Sequence, residues 1–230
     1  MEVAICHADR DLVVVDKPPA VAVIPARSEP AEASLVRQLE ACLGLRLWVV
    51  HRIDRDTSGV VVFAKSAEAH RALCRAFEER RVEKEYVAFT AGVPEPEAGR
   101  IDVPLHAARR GKARPARPDE AGRQEAVTDY RVERVFHGAG LAAARVGLWP
   151  RSGRRHQLRV HLRARGTPIL FDALYGGDQA RPSPAAPCRR LALHAARLRL
   201  PTPGGVLEVG APLPGDLVAL EAWLAMAEPR

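Results

Sequence analysis

Aromatic residues are scarce in this chain of 230 residues, at 5% for Phe, Trp and Tyr together. That scarcity argues against binding a ligand through rows of stacked aromatic rings. No apolar run approaches the ~18–20 residues that a membrane-spanning helix requires. The N-terminus has no basic segment followed by a long apolar one, so it does not read as a signal peptide. The four cysteines, Cys6, Cys42, Cys74 and Cys188, stand far apart without a Cys-x-x-Cys pair. They suggest neither a zinc site nor a disulfide framework, and a cytoplasmic address is the expectation. No glycine-rich loop ends in Lys-Ser or Lys-Thr, and no Gly-x-Ser-x-Gly frames a nucleophile. A phosphate-cradling nucleotide site and a serine-hydrolase elbow are thereby excluded. His156 and His161 lie five apart, off the one-face spacing of four that a helical metal pair uses, and no metal is expected.

Positive charge is in surplus. Thirty-five Lys and Arg against 28 Asp and Glu leave a net +7, which favours a polyanionic partner, nucleic acid before an acidic membrane surface. A hydrophobic content of 47% and a charged content of 27% are ordinary for a globular protein, and the length can bury a sizeable core.

The chain is organised around His51-Arg52-Ile53-Asp54-Arg55-Asp56-Thr57-Ser58-Gly59. Two runs rich in β-branched and aromatic residues, 45–50 and 60–65, flank it and read as short buried strands. The polar segment between them reads as a tight loop that carries a carboxylate, guanidiniums and an imidazole. Earlier, residues 11–16 form a strand stopped by Pro18 and Pro19, and an irregular connection covers 21–29. Residues 30–43 have helical periodicity, with Pro30 in the first turn and Gly44 as the stop.

Ser66 is the expected N-cap of a second helix over 67–80, whose last turn would hold Arg80 and Arg81. Residues 84–90 alternate as a strand. From 94 to 124 prolines, glycines and a basic cluster (Arg109, Arg110, Lys112, Arg114, Arg117) dominate, as in a long, partly mobile excursion. Residues 127–135 and 142–148 read as a strand pair joined through His137-Gly138-Ala139-Gly140. Arg151, Arg154, Arg155, Arg159 and Arg163 make the next stretch the most basic of the chain, with a helix closed by Gly166. Its glycine-bearing start offers charge and free N–H groups to phosphate oxygens. After a proline-rich loop over 181–190 come strands over 191–200 and 206–209, then a helix through Leu217, Leu220, Trp223 and Leu224. The pattern specifies an α+β fold with a mixed, mostly antiparallel central sheet, flanking helices and a basic cleft.

Segments across most of the chain resemble one family in order. His51 to Gly59 resembles the H-R-L-D-x-x-T-S-G signature of the RluA-type RNA pseudouridine synthases. Asp11 to Pro18 resembles its entry motif with V-x-K-P, Lys84-Glu85-Tyr86 its K-x-Y, and Ser152 to His161 its t-G-R-t-H-Q-l-R-v-H. Pro168 to Gly176 resembles p-I-x-G-D-x-x-Y-G, and Leu191 to Ala195 resembles r-l-x-L-H-A. The resemblance implies an isomerase that cleaves the N1–C1′ bond of a uridine, turns the base and rejoins it through C5. It implies no cofactor, and ribosomal RNA or tRNA as partner.

Carried over residue by residue, Asp54 is the catalytic carboxylate, Arg159 its cationic partner, and Tyr86 the ring against the target base. Arg52 would fill the place of the flipped base, a role suited to a planar guanidinium. Leu193 would pack on the base, and Arg154, Arg155 and His156 would contact RNA. A carboxylate fits chemically, because cleavage at an anomeric carbon builds positive charge that an anion stabilises or captures. Attack on C1′ and removal of the C2′ proton both remain open. Arg155 stands where the family usually has Ser or Thr, and Phe171 where it has Gly, departures that bear on substrate choice. With the first motif near Asp9, the expectation is a single catalytic domain over 1–230 without a separate N-terminal RNA-binding domain. Such a chain is expected to be monomeric and to have no membrane partner. A non-catalytic RNA-binding or RNA-folding protein on the same scaffold is the alternative.

Overall fold

The computed structural model describes residues 3–25, 30–137, 142–181 and 184–226. Residues 26–29 of the first predicted connection, Gly138 to Gly140 of the strand connection, and Pro182-Ser183 of the proline-rich loop lie outside them. In chain order the strands are β1 (Ala4–Ala8), β2 (Leu12–Lys17), β3 (Trp48–Val49), β4 (Ser58–Ala64), β5 (Glu83–Ala91) and β6 (Ala98–Asp102). They continue with β7 (Leu105–Ala107), β8 (Ala113–Pro115), β9 (Val127–Phe136), β10 (Ala143–Pro150), β11 (Leu193–Thr202) and β12 (Gly205–Gly210). The helices are α1 (Leu35–Leu43), α2 (Ala67–Glu78), α3 (Gln157–Ala164) and α4 (Gly215–Met226). Two compact units contain them, residues 1–84 with 194–212 and residues 85–193 with 213–230.

In the first unit the strands run in the order β1-β2-β4-β11, with β3 added to β4 and β12 to β11. All pairings are antiparallel except β4 with β11, which is parallel. Every residue of β4, SGVVVFA, is buried. A strand covered on both faces needs apolar residues at every position, which explains a continuous run instead of alternation. Val14, Val60 and Val62 pack with Leu73 and Ala76 of α2 and with Leu198 and Leu200 of β11. Helix α2 starts where expected, the Ser66 hydroxyl accepting from the N–H of Ala69 at 3.1 Å.

Three local expectations for this unit are corrected. The first helix begins at Leu35, because Ser34 is extended (φ −74, ψ 147) and Pro30 precedes only a 3-10 turn, Ala31–Ala33. The strand before the motif shrinks to Trp48–Val49. Arg80 and Arg81 lie beyond α2, where Arg80 turns left-handed at φ 57, and Arg75 occupies the last turn.

The second unit is built on the antiparallel order β5-β10-β9-β6. Its helix α3 ends before Gly166 (φ +77), as the glycine predicts. The basic excursion over 94–124 is not a plain loop: it contributes β6 to the sheet and a separate hairpin, β7 with β8. Leu105 and Ala113 of that hairpin pack with Ala126, Val160 and Tyr175 in a small core of their own. Few apolar residues suffice here because the hairpin buries only one side. The fold is α+β, mixed and mostly antiparallel, as the pattern specified.

Candidate active site

The motif loop is gripped at successive points within the first unit. Before Asp54, the His51 ring stacks on Phe77 (centroids 4.7 Å apart, planes at 21°), and its Nε2 accepts from the Val62 N–H at 3.1 Å. An imidazole nitrogen that accepts is unprotonated, so the proton sits on Nδ1 and the ring is neutral. Burial, assisted by the Lys84 charge, pushes its pKa down to about 3. Lys84 is itself brought down to about 8 by burial and the Arg80 guanidinium.

The turn itself closes through the Thr57 N–H, which donates to the Asp54 carbonyl at 3.1 Å. Lys17 is 0% exposed, and its ammonium donates to the carbonyls of Pro18 (2.7 Å), Val21 (2.8 Å) and Arg55 (2.8 Å). Ile53 and Thr57 are buried, Arg52 and Arg55 are exposed, and Asp54 is half-buried. Thr57 Oγ1 is a buried oxygen with no hydrogen-bond partner among the described residues.

After the turn, Ser58 and Gly59 already belong to β4. His194 Nε2 lies 3.2 Å from the Ala211 carbonyl, which can only accept, so the proton is on Nε2. Nδ1 therefore accepts from the Ser58 hydroxyl at 2.9 Å. Gly59 has φ +113, and a Cβ there would lie 2.1 Å from the Ala195 carbonyl oxygen. Only glycine admits so close a parallel neighbour. The T-S-G and L-H-A segments are thus halves of one contact.

In the second unit, Arg159 of α3 and Asp172 are both buried and form a fork: Nε to Oδ2 at 2.8 Å and Nη2 to Oδ1 at 2.7 Å. Asp172 Oδ1 also accepts from the N–H groups of Leu174 (2.9 Å) and Tyr175 (3.0 Å). The guanidinium carbon of Arg159 sits 5.1 Å over the Tyr175 ring. The Tyr175 hydroxyl accepts from the Ala113 N–H at 2.8 Å and lies 2.7 Å from His156 Nδ1, within hydrogen-bond distance. His156, expected to contact RNA, adopts φ 54 at the start of α3 and aims one ring nitrogen at this hydroxyl.

The start of α3 is also less open than its glycine suggests. Gln157 Oε1 accepts from the N–H of Arg154 (3.0 Å) and the Ser152 hydroxyl (2.7 Å), and the Gln157 N–H is spent on the Arg154 carbonyl. Tyr86 lies half-buried on β5 opposite Leu148 of β10, and Leu193 is buried at the start of β11. Arg52, Arg154 and Arg155 are exposed. Lys17, His194, Asp172 and Tyr175 stood in recognised segments, but no local signal assigned them a partner.

The RNA pseudouridylate synthase family model matches residues 11–164 of this chain. The chain belongs to the RluA-type RNA pseudouridine synthases. It is therefore an enzyme, an isomerase that modifies RNA. It is 38% identical to the Escherichia coli K12 dual-specificity RNA pseudouridine synthase RluA over 86% of this chain and 87% of that protein. It is 34% identical to the ribosomal large subunit pseudouridine synthase D of Haemophilus ducreyi, over 94% of this chain and 69% of the relative. Among solved structures, human RNA pseudouridylate synthase domain containing 4 superposes with a TM-score of 0.78 at 30% identity, covering 96% and 92% of the two chains. Human RNA pseudouridylate synthase domain containing 1 gives 0.80 at 29%, covering 97% and 88%. In the synthase both departures have structural consequences. Phe171 occupies a left-handed conformation, φ 58, that a glycine would adopt without strain. Arg155 reaches the β7–β8 hairpin, where its guanidinium lies against Gly111.

Proposed function

We propose that this synthase converts specific uridines of ribosomal RNA or tRNA to pseudouridine, with Asp54 as the carboxylate that acts on the sugar. The observation that carries the reading is the motif loop: a carboxylate on a turn held before, at and after its position, at the mouth of a fully buried strand. Rigid placement of this kind suits a group that must meet one carbon atom. The reaction is balanced without a co-reactant. The N1–C1′ bond breaks, the base turns, C5–C1′ forms, the C5 proton leaves and N1 gains a proton, so no cofactor or metal is required.

Arg159 is assigned as the cationic partner of the carboxylate. Its guanidinium is fixed in place by the Asp172 fork, and a held, permanently charged group suits the orientation of a carboxylate. Tyr86 is assigned to the target base, Leu193 to the base's other side, and Arg52 to the place the base vacates. Arg154, Arg155 and His156 are assigned to RNA contact. The family match runs across the boundary at residue 84, which supports reading both units as one catalytic domain. The enzyme is read as a monomer acting in the cytoplasm; no helix among the described residues is long and apolar enough to cross a membrane.

The test is release of tritium from 5-tritiated uridine in bulk tRNA and ribosomal RNA. Wild type releases it, and Asp54→Asn loses activity by about 10³-fold or more, within the range for a group acting in the transition state. Full activity of Asp54→Asn would remove the assignment. A primary isotope effect with 2′-deuterated uridine selects proton removal at C2′; its absence selects attack at C1′.

A further inference from the structure

Arg155 is exposed and meets no carboxylate among the described residues. Its guanidinium instead lies on the tip of the β7–β8 hairpin: a Cβ built on Gly111 would fall 2.7 Å from Nη2 and 3.2 Å from Cζ. That tip is a 3-10 turn, Arg109–Gly111, followed by Lys112, and Gly111 is left-handed at φ +70. Arg109 and Lys112 are also exposed and also lack an acidic partner among the described residues. Three carboxylates of the surrounding sequence pair with other arginines: Glu120 with Arg114, Glu125 with Arg123, and Asp129 with Arg100 and Arg151.

Two cations thus stand on the hairpin tip and a third lies against it, with no paired carboxylate among the described residues. Such a cluster repels itself, and an anion that sits among the charges relieves it. The hairpin is also pre-set. The Ala108 N–H donates to the Lys112 carbonyl at 2.8 Å and the Lys112 N–H to the Arg109 carbonyl at 3.3 Å, and Ala113 is tied by its N–H to the Tyr175 hydroxyl. A planar guanidinium on a fixed backbone is suited to the forked recognition of a phosphate.

We propose that Arg155, Arg109 and Lys112 form a binding site for a backbone phosphate of the RNA substrate, and that Arg155 makes it a selecting feature of this chain. The proposal rests on the RNA reading above. A serine at position 155 would be too short to reach the hairpin that the Arg155 guanidinium lies against.

Binding of unfractionated tRNA and of large-subunit ribosomal RNA is measured by filter retention between about 50 and 200 mM salt. Arg155→Ser is expected to weaken binding several-fold and to reduce the slope of log affinity on log salt by about 0.7–0.9, the value for one lost phosphate contact. In tritium release its kcat/KM falls with the loss lying in KM. Arg155→Lys, which keeps the charge, keeps most of the slope. Gly111→Ala, which displaces the guanidinium, behaves like Arg155→Ser. Arg37→Ser, which removes an exposed arginine paired with Glu40 on α1, leaves the slope unchanged. An unchanged slope for Arg155→Ser, an equal loss for Arg37→Ser, or no binding of either RNA by wild type would overturn the site. If wild type releases no tritium yet Arg155→Ser still lowers the slope, the assigned reaction fails and the phosphate site stands.

Discussion

The first unit holds its carboxylate loop mainly through backbone groups: the Lys17 ammonium on the Arg55 carbonyl, His51 under the Val62 N–H, and Gly59 against the Ala195 carbonyl. The second unit holds its guanidinium through side chains: Arg159 forked on Asp172, Tyr175 beneath it, and His156 on the tyrosine hydroxyl. The two modes fail differently. A backbone grip tolerates changes in the loop's exposed side chains but not in its path. A charge network tolerates small shifts but not the loss of one ion, because the other then stays buried and uncompensated.

The most direct way to break the comparison is Asp172→Ala. It should destabilise by about 3–5 kcal/mol, the range for removing one partner of a buried pair. Denaturant unfolding measures this, and a loss below about 1 kcal/mol would mean that Arg159 is not held by charge. Gly59→Ala probes the backbone mode. A Cβ at 2.1 Å from a carbonyl oxygen forces the strands apart, and a cost of about 3 kcal/mol is expected from overpacking and strain together. Lys17→Met keeps the volume but removes the donor from carbonyls in a site with 0% exposure. A loss of about 1–3 kcal/mol is expected, together with a lower kcat on RNA, which a purely local packing defect would not produce.

A pH measurement sharpens the contrast further. His51 titrates at about 3 in the folded protein against 6.5 ordinarily, so the unfolded chain takes up a proton first as pH falls. The stabilisation is fully present above about pH 6.5 and is lost towards pH 3, at up to about 1.4 kcal/mol per pH unit. His51→Gln, which keeps an acceptor for Val62, should flatten the urea midpoint between pH 6 and 4; an unchanged dependence would refute the neutral ring. The smallest effect is expected from Phe171→Gly. Relief of the left-handed residue offsets the lost side chain and the freer unfolded chain, leaving a net change within about 1 kcal/mol.

Elements with a strong local pattern were legible. Ser66 announced α2, the valine run announced β4, and Gly166 the end of α3, because caps and apolar runs act within a few residues. Residues 94–124 read as a long, partly mobile excursion, yet they hold β6, which is specified by its partner β9 and not by its own composition. The early start assigned to α1 failed for a related reason. Periodicity continued through Ser34, but its hydroxyl bonds the Ala31 carbonyl and its backbone stays extended.

The motifs alone identified the family, through ordered segments that include a carboxylate on a polar turn and a basic helix with Arg159, in a chain with surplus positive charge. Covalent sequence carries residue types and short-range order, and those determine which reaction the chain can attempt. What holds each group was decided only by folding. Ser58 meets His194 across 136 residues of chain, and Lys17 reaches Arg55 across 38, distances at which no local preference acts. Arg159 finds Asp172, and Arg155 the tip of a hairpin, through packing of elements that neither residue's neighbours encode. Hydrogen bonds and close contacts act over a few ångströms of space, and only the tertiary structure brings such residues within that range.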